Sequence, residues 1–227
     1  MEGKSIYEYY TYRYAGMNEI GQPQWHGFQR DDEGNYVMDE AGNKIPAIST
    51  NYSYAEKEYI GKTATPDLTG GLSTTFKWNG IDINIATAFQ IGGWAYDSSY
   101  VGELSHSFYV GHHRDMWKTF NPETMSGEYP IWNANDSVNT YGKASDAHLI
   151  NASYFSLRNV TIGYSFPKKW MQKLGMGGIR IYVTGDNLAL WSKRQGFDPR
   201  VSVSGGNSGF SGYAPLRVIS GGINLTF

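Results

Sequence analysis

Apolar and polar residues alternate along much of the chain with a period of two. That is the spacing of a strand whose side chains point to opposite faces. The clearest stretch runs Leu72-Ser-Thr-Thr-Phe-Lys-Trp78, then Asn79-Gly80, then Ile81-Asp-Ile-Asn-Ile-Ala-Thr-Ala-Phe89. Asn-Gly between alternating segments predicts a two-residue hairpin turn, because both residues tolerate positive φ. The short turn fixes the register, with Trp78 opposite Ile81, Lys77 opposite Asp82, Phe76 opposite Ile83 and Thr75 opposite Asn84. One face then carries Leu72, Phe76, Trp78, Ile81, Ile83, Ile85 and Phe89. The other carries Ser73, Thr75, Lys77, Asp82, Asn84, Ala86 and Gln90. The predicted Lys77–Asp82 pair contributes roughly 0.2–1 kcal/mol.

About seven strands are predicted in all, over about 5–15, 22–30, 72–78, 81–89, 153–166, 177–191 and 215–227. In the fifth, Val160, Ile162, Tyr164 and Phe166 share one parity. In the sixth, Ile179, Ile181 and Val183 oppose Arg180, Tyr182 and Thr184. In the seventh, Ile219, Ile223, Leu225 and Phe227 alternate with Ser220, Gly222, Asn224 and Thr226. Pro167 ends the fifth strand, since proline cannot donate to a ladder, and an amphipathic turn or short helix follows to Leu174. A small hairpin is expected over Tyr36–Ile45, and a helix over 104–120, ended by Asn121-Pro122.

The connections are unequal. Those after the first, third and fifth strands are short; those over about 31–67, 93–152 and 192–214 are long. In a meander alternate connections lie at one end, so short turns at one end and long loops at the other match an outer-membrane barrel. The fold class expected is therefore all-β: a segment of a large antiparallel transmembrane β-barrel, with long extracellular loops and a short helix. Bacterial single-chain barrels have even strand counts. Seven strands cannot close alone, so residues 1–227 are expected to be the C-terminal part of a longer protein.

Composition narrows the classes further. The chain has 28 Gly, 18 Tyr, 10 Phe, 7 Trp and no Cys, with charged residues at 18% and a net charge of −2. Nucleic acid is excluded as the main partner, since phosphate binding needs clustered Lys and Arg. A disulfide scaffold and a thiol nucleophile are excluded as well. No apolar run reaches the ~18 residues of a membrane helix, and no signal-peptide core follows Met1.

Several short motifs point to a family. They are Tyr14-Ala-Gly16 with Gly21-Gln-Pro23, Pro66-Asp-Leu-Thr-Gly-Gly-Leu72 leading into the hairpin, and Gln90-Ile-Gly-Gly93. Further along come Tyr154-Phe-Ser-Leu-Arg-Asn-Val-Thr-Ile-Gly-Tyr-Ser-Phe-Pro167, Thr184-Gly-Asp-Asn-Leu188, Gly196-Phe-Asp-Pro199 and the closing Asn224-Leu-Thr-Phe227. In this order and spacing they resemble the C-terminal barrel region of SusC/RagA-family TonB-dependent outer-membrane transporters of Bacteroidetes. One departure is Asp186, where an amide is expected. The resemblance covers nearly the whole chain and about the last quarter of such proteins. It implies a 22-stranded barrel with a plugged lumen in the bacterial outer membrane, facing lipid. It implies uptake of glycan oligosaccharides, or peptides, energised by TonB and assisted by a SusD-like surface lipoprotein. The plug and the TonB-contacting segment have no match here.

Candidate residues follow. Trp94, Tyr96, Trp117, Trp132 and Tyr213 lie in the loops expected to be extracellular, where flat aromatic faces suit sugar rings or a lid protein. Lys77, Asp82, Asn84, Gln90, Arg180 and Tyr182 share the polar parity and are expected to line the lumen. Tyr12, Tyr14, Trp78, Tyr164, Phe166 and Phe227 are expected in the periplasmic aromatic girdle. Phe227 also resembles the terminal signal read by barrel-assembly machinery. No catalytic, cofactor or metal site is expected. The carboxylates Asp97, Glu103, Asp115, Glu123 and Asp136 show no pairing pattern. Gly61-Lys62-Thr63 lacks the first glycine of a phosphate loop, since Glu56 stands there. Asp31-Asp32-Glu33-Gly34 and Asp39-Glu40 lack calcium-loop spacing, leaving a loop calcium site open but unsupported. The competing reading is a soluble aromatic-rich β-sandwich that binds carbohydrate, with its apolar parity packed sheet on sheet.

Overall fold

The computed structural model describes residues 3–104, 111–132, 141–173, 175–194, 196–201 and 215–227. Twelve strands follow one another among them: β1 Glu8–Tyr12, β2 Tyr14–Met17, β3 Pro23–Phe28, β4 Pro46–Ser49, β5 Lys57–Thr63, β6 Leu68–Trp78, β7 Ile81–Ile91, β8 Trp94–Tyr96, β9 Leu149–Asn151, β10 Tyr154–Ser165, β11 Gly178–Ser192 and β12 Val218–Thr226. The chain divides into two compact units. One comprises 1–64, 94–150 and 202–210; the other comprises 65–93, 151–201 and 211–227.

The second unit holds a five-stranded antiparallel meander, ordered β6-β7-β10-β11-β12. The β6–β7 hairpin has the register that its turn demands: Trp78 faces Ile81, Lys77 faces Asp82 and Phe76 faces Ile83. Asn79 and Gly80 take the expected positive φ, 46° and 86°. The strands run from 9 to 15 residues. Tilted strands of about 9–11 residues cross a bilayer.

Cross-strand rows extend the two-faced pattern over the whole sheet. One apolar row reads Trp78, Ile81, Tyr164, Ile181, Ile223; the next reads Phe76, Ile83, Ile162, Val183, Gly221. The apolar face is not packed away. Ile162, Val183 and Ile219 are 53%, 56% and 71% exposed, whereas a soluble sandwich would bury them between its sheets. No helix is long and apolar enough to cross a membrane among the described residues.

The β6–β7 turn and the β10–β11 connection lie at the same end of the meander, where Ser165 N–H donates to the Gly80 carbonyl at 2.7 Å. The long connections 92–153 and 193–217 leave from the other end. The β10–β11 connection contains the expected short helix, α2 Lys168–Lys173.

Midway, the ladder is irregular. Asn159 pairs with Asp186 and Leu157 with Ala189, so Asn187 and Leu188 on β11 stand against Arg158 alone. Asn187 adopts φ 51°. Relative to β7, Arg158 is itself the extra residue. The apolar parity of β10 therefore inverts there, from Val160, Ile162 and Tyr164 to Leu157 and Phe155. Bulges are a common way to bend a strand and locally raise its twist.

The first and second expected strands lie in the other unit, not in this sheet. The 5–15 stretch breaks at Arg13 into β1, which pairs with β5, and β2, which pairs with β3. β4 completes the β2-β3-β4 sheet. Strands β4 and β5 fall within the segment expected to be a loop, and Gly61-Lys62-Thr63 ends β5 at an irregularity of the β1–β5 ladder, where Gly61 takes φ 73°. The small hairpin is present, bridged at Met38–Lys44, and has an unforeseen twin. Asp31-x-x-Gly34-Asn35 and Asp39-x-x-Gly42-Asn43 form the same turn. In each, the aspartate accepts from the backbone N–H four residues on, at 2.8 Å. Both carboxylates are held below their usual pKa, chiefly by that bond. Of the helix expected over 104–120, residues 105–110 lie outside the described residues, and 111–120 hold no α-helix. An α-helix, α1, spans Ser98–Glu103, and a 3-10 turn spans Arg114–Lys118. Asp97 explains the early start, because its side chain caps the helix by accepting from Tyr100 N–H at 3.0 Å.

Candidate functional site

The polar face of the meander gathers the six residues expected to line a lumen. Lys77, Asp82, Gly163, Tyr182 and Gly222 form one cross-strand row; Thr75, Asn84, Thr161, Thr184 and Ser220 form the next. Lys77 does stand opposite Asp82, but the ion pair of Asp82 is with Arg180, two strands away. Arg180 Nε donates to Oδ1 at 3.0 Å and Nη2 to Oδ2 at 2.5 Å. This two-point fork is the geometry that makes arginine–carboxylate pairs strong. It replaces the expected Lys77 pair because Gly163, between the two strands, leaves the space open. A Cβ there would lie 2.4 Å from Arg180 Nη2 and 2.7 Å from Asp82 Oδ1. The Arg180 guanidinium also lies 5.1 Å from the Tyr182 ring centre, and that ring covers Gly222, whose Cβ would meet Tyr182 Oη at 2.5 Å.

Further along the face, Asn159 Nδ2 donates to Thr184 Oγ1 at 2.9 Å and to Asp186 Oδ1 at 2.8 Å. Thr161 and Thr184 hydroxyls meet at 2.8 Å. The carboxylate at 186 thus accepts from a neighbouring amide. Asn84 Nδ2 donates to Thr75 Oγ1 at 3.1 Å, and Gln90 Nε2 to the Ala152 carbonyl at 3.2 Å. The Asn159–Thr184–Asp186 network was missed as a unit, although the parity of its members was visible. At the long-loop end a cavity of about 610 Å³ is lined by residues including Trp191, Arg194, Phe197, Arg200 and Arg217. There Arg200 Nη2 grips Asp198 at 2.6 Å.

The aromatic residues at the turn end fall into two groups. Trp78, Tyr164, Phe166 and Phe227 sit there, with Tyr164 and Phe166 rings 5.1 Å apart. Tyr12 and Tyr14 do not join them. Tyr12 packs on Tyr52 and Tyr14 on Tyr141, within the other unit. A band at the far end of the apolar face, with Phe155 and Trp191 rings 5.7 Å apart, was not foreseen.

The loop candidates have different surroundings. Trp94 lies under Lys62 Nζ at 4.3 Å, and its carbonyl accepts from Tyr9 Oη at 3.0 Å. Tyr96 packs edge-on against His148 at 5.9 Å, and Trp132 against His112 at 6.1 Å. These three build loop structure. Tyr213 lies outside the described residues, as does Asp136. Trp117 is 93% exposed. His148 is buried, which holds its imidazole below the usual pKa; its Nε2 lies 2.8 Å from the Tyr141 carbonyl. Burial, with Tyr129 nearby, pushes the Tyr141 hydroxyl up to about 12. Among the described residues no group of three or more His, Asp or Glu is placed to hold a metal ion.

No family model matches the chain. Curated relatives do. TonB-dependent receptor P3 of Formosa agariphila is 25% identical over 239 residues, covering 100% of this chain and 22% of that protein. TonB-dependent receptor SusC of Bacteroides thetaiotaomicron is 24% identical over 207 residues, covering 88% of this chain and 17% of that protein. Among solved structures, the RagAB peptide transporter superposes with a TM-score of 0.72 at 25% identity, over 97% of this chain and 23% of that one. The chain therefore spans about a fifth of the length of the proteins it matches.

Proposed function

We propose, from the place of this chain in the SusC/RagA family of TonB-dependent outer-membrane receptors, that it is the C-terminal wall of a nutrient importer's barrel. The apolar face meets lipid. The polar face, with Lys77, Asp82, Asn84, Gln90, Arg180 and Tyr182, lines the lumen past which cargo moves when a plug is displaced. TonB acts through parts of the protein outside this chain, a SusD-like lipoprotein closes the outer mouth, and the cargo is an oligosaccharide or a peptide. Phe227, on the apolar parity just past β12, belongs to the assembly signal. The similarity to a peptide transporter supports the peptide alternative; the similarity to SusC supports the family without choosing between them.

The observation that carries this reading is the continuous two-faced meander whose apolar face stays uncovered. Its test places one charge on each face. Ile85 lies mid-strand between Thr74 and Val160 on the apolar face. Arg on the lipid face at mid-membrane costs about 2–4 kcal/mol. In the full-length receptor, Ile85→Arg is expected to abolish the heat-modifiable folded band in outer membranes, and Asn84→Arg to leave it. Equal behaviour of the two variants would refute the assignment of faces.

A further inference from the structure

The β10–β11 connection carries charges that the importer reading does not use. Its short helix α2 is seated by Met171, which is only 3% exposed. The backbone closes around that residue: Trp170 N–H donates to the Pro167 carbonyl at 3.0 Å, and Met176 N–H to the Met171 carbonyl at 3.1 Å. Each helical residue turns the chain by about 100°. Lys169 and Lys173 therefore stand one above the other on the side opposite Met171. Trp170 stands beside them and is 57% exposed. Its ring lies 6.4 Å from that of Phe166, which in turn lies 5.1 Å from Tyr164. The indole thus continues the aromatic row at the turn end of the apolar face.

Two ammonium groups one turn apart repel each other and weaken a helix, and Lys168 adds a third. Nothing nearby offsets them. Residues 164–181 contain no Asp or Glu, and among the described residues no ion pair reaches the three lysines. Asp82, at the same end of the sheet, is held by Arg180 on the polar face. The balancing negative charge must come from outside the wall, and Trp170 indicates its source. An indole with an apolar body and a polar N–H settles at the level of lipid headgroups. Lysine stems beside it can lie over apolar surface while their charged ends stay among the phosphates. An acidic soluble protein would match the lysines alone. An anionic headgroup with its acyl chains matches the lysines and the ring together.

We infer that Lys169, Lys173 and Trp170, assisted by Lys168, form an interfacial site for an anionic phospholipid, with its phosphate on the ammonium groups and its upper acyl chain along the indole. The inference rests on the importer reading, which puts the short turns at the periplasmic leaflet. The test uses the purified full-length receptor in dodecyl maltoside. Retained dioleoyl phosphatidylglycerol and dioleoyl phosphatidylcholine are counted by native mass spectrometry. The anionic lipid is expected to be held about tenfold more tightly, as two lysines beside a phosphate predict. Lys169→Gln with Lys173→Gln should bring the two lipids within about twofold of each other. Lys169→Arg with Lys173→Arg should keep the preference. Lys77→Gln, which removes a cation at the same end but on the polar face, should keep it too. Lys169 and Lys173 are exposed, so the glutamine pair should keep the wild-type melting temperature in phosphatidylcholine. Equal retention of the two lipids by the wild-type receptor overturns the inference. So does an equal loss of preference on Lys77→Gln. So does a preference that survives the glutamine pair, even if the pair loses binding to isolated peptidoglycan. A receptor that gives no heat-modifiable band would instead refute the barrel reading beneath it.

Discussion

Gly163 offers the most direct test of the polar face. It lies between Asp82 on β7 and Tyr182 on β11, under the Arg180 guanidinium. Ordinary contact begins at 3.4 Å, and an alanine Cβ would sit 2.4 Å from Arg180 Nη2 and 2.7 Å from Asp82 Oδ1. The two partners must each retreat by roughly 1 Å, and the fork cannot keep both of its bonds. A hydrogen bond to a charged group contributes about 1.5–3 kcal/mol. Here the side chains are 30% and 20% exposed, which weakens the pair through solvent screening. Alanine also recovers about 0.5–1 kcal/mol of backbone entropy relative to glycine. The expected net loss for Gly163→Ala is about 1 kcal/mol. The assay is thermal unfolding of the full-length receptor in detergent, in a double-mutant cycle with Arg180→Ala. If the loss arises from the ion pair, Gly163→Ala should stabilise by about 0.5–1 kcal/mol once Arg180 is gone, giving a coupling of about 1.5–2 kcal/mol. Additive effects would refute the argument and point to backbone strain instead.

Three further outcomes follow from the geometry. Asn79→Ala should lower stability by about 1 kcal/mol, because Asn79 holds φ 46° and a Cβ-bearing residue other than Asn or Asp resists that region; Asn79→Gly should be nearly neutral in the same melt. Burial lowers the His148 pKa in the folded state, so the unfolded chain takes up a proton first as pH falls below about 6.5. The stabilisation is complete above that pH and declines below it. Protection factors around 141–150, which correct exchange for its intrinsic pH dependence, should therefore fall from pH 7.5 to 5.5, and His148→Gln should flatten that dependence. Deletion of Phe227 should reduce the folded receptor recovered from outer membranes without lowering its melting temperature; a lower melting temperature with normal recovery would make Phe227 a packing residue only.

How much of this was legible depended on how local the determinants are. The β6–β7 register follows from two residues, Asn79 and Gly80, so it could be read to the exact pair. The faces of β10, β11 and β12 followed from alternation alone. The Asp82–Arg180 pair could not be read, because it depends on a missing side chain at 163 and on a partner 98 positions away. The 5–15 stretch shows strand periodicity, but periodicity names no partner, and its tyrosines pack against loop residues such as Tyr52 and Tyr141. Strand β5 was hidden by its charges and by Gly61, which weaken the alternation. The bulge did leave a trace: Arg158-Asn159 sets two polar residues side by side between Leu157 and Val160. Among the loop aromatics, sequence could not separate Trp94 and Tyr96, which pack, from Trp117, which does not.

Among the described residues, both flanks of the meander are unpaired. Strands β6 and β12 each pair on one side only, so each presents a row of amide and carbonyl groups outward. Hydrocarbon offers these groups nothing to bind, and each one left unmet costs several kcal/mol. Zipping must therefore continue past both flanks before the wall can rest in a bilayer. Produced by itself, this stretch of polypeptide would be expected to zip onto copies of itself and precipitate.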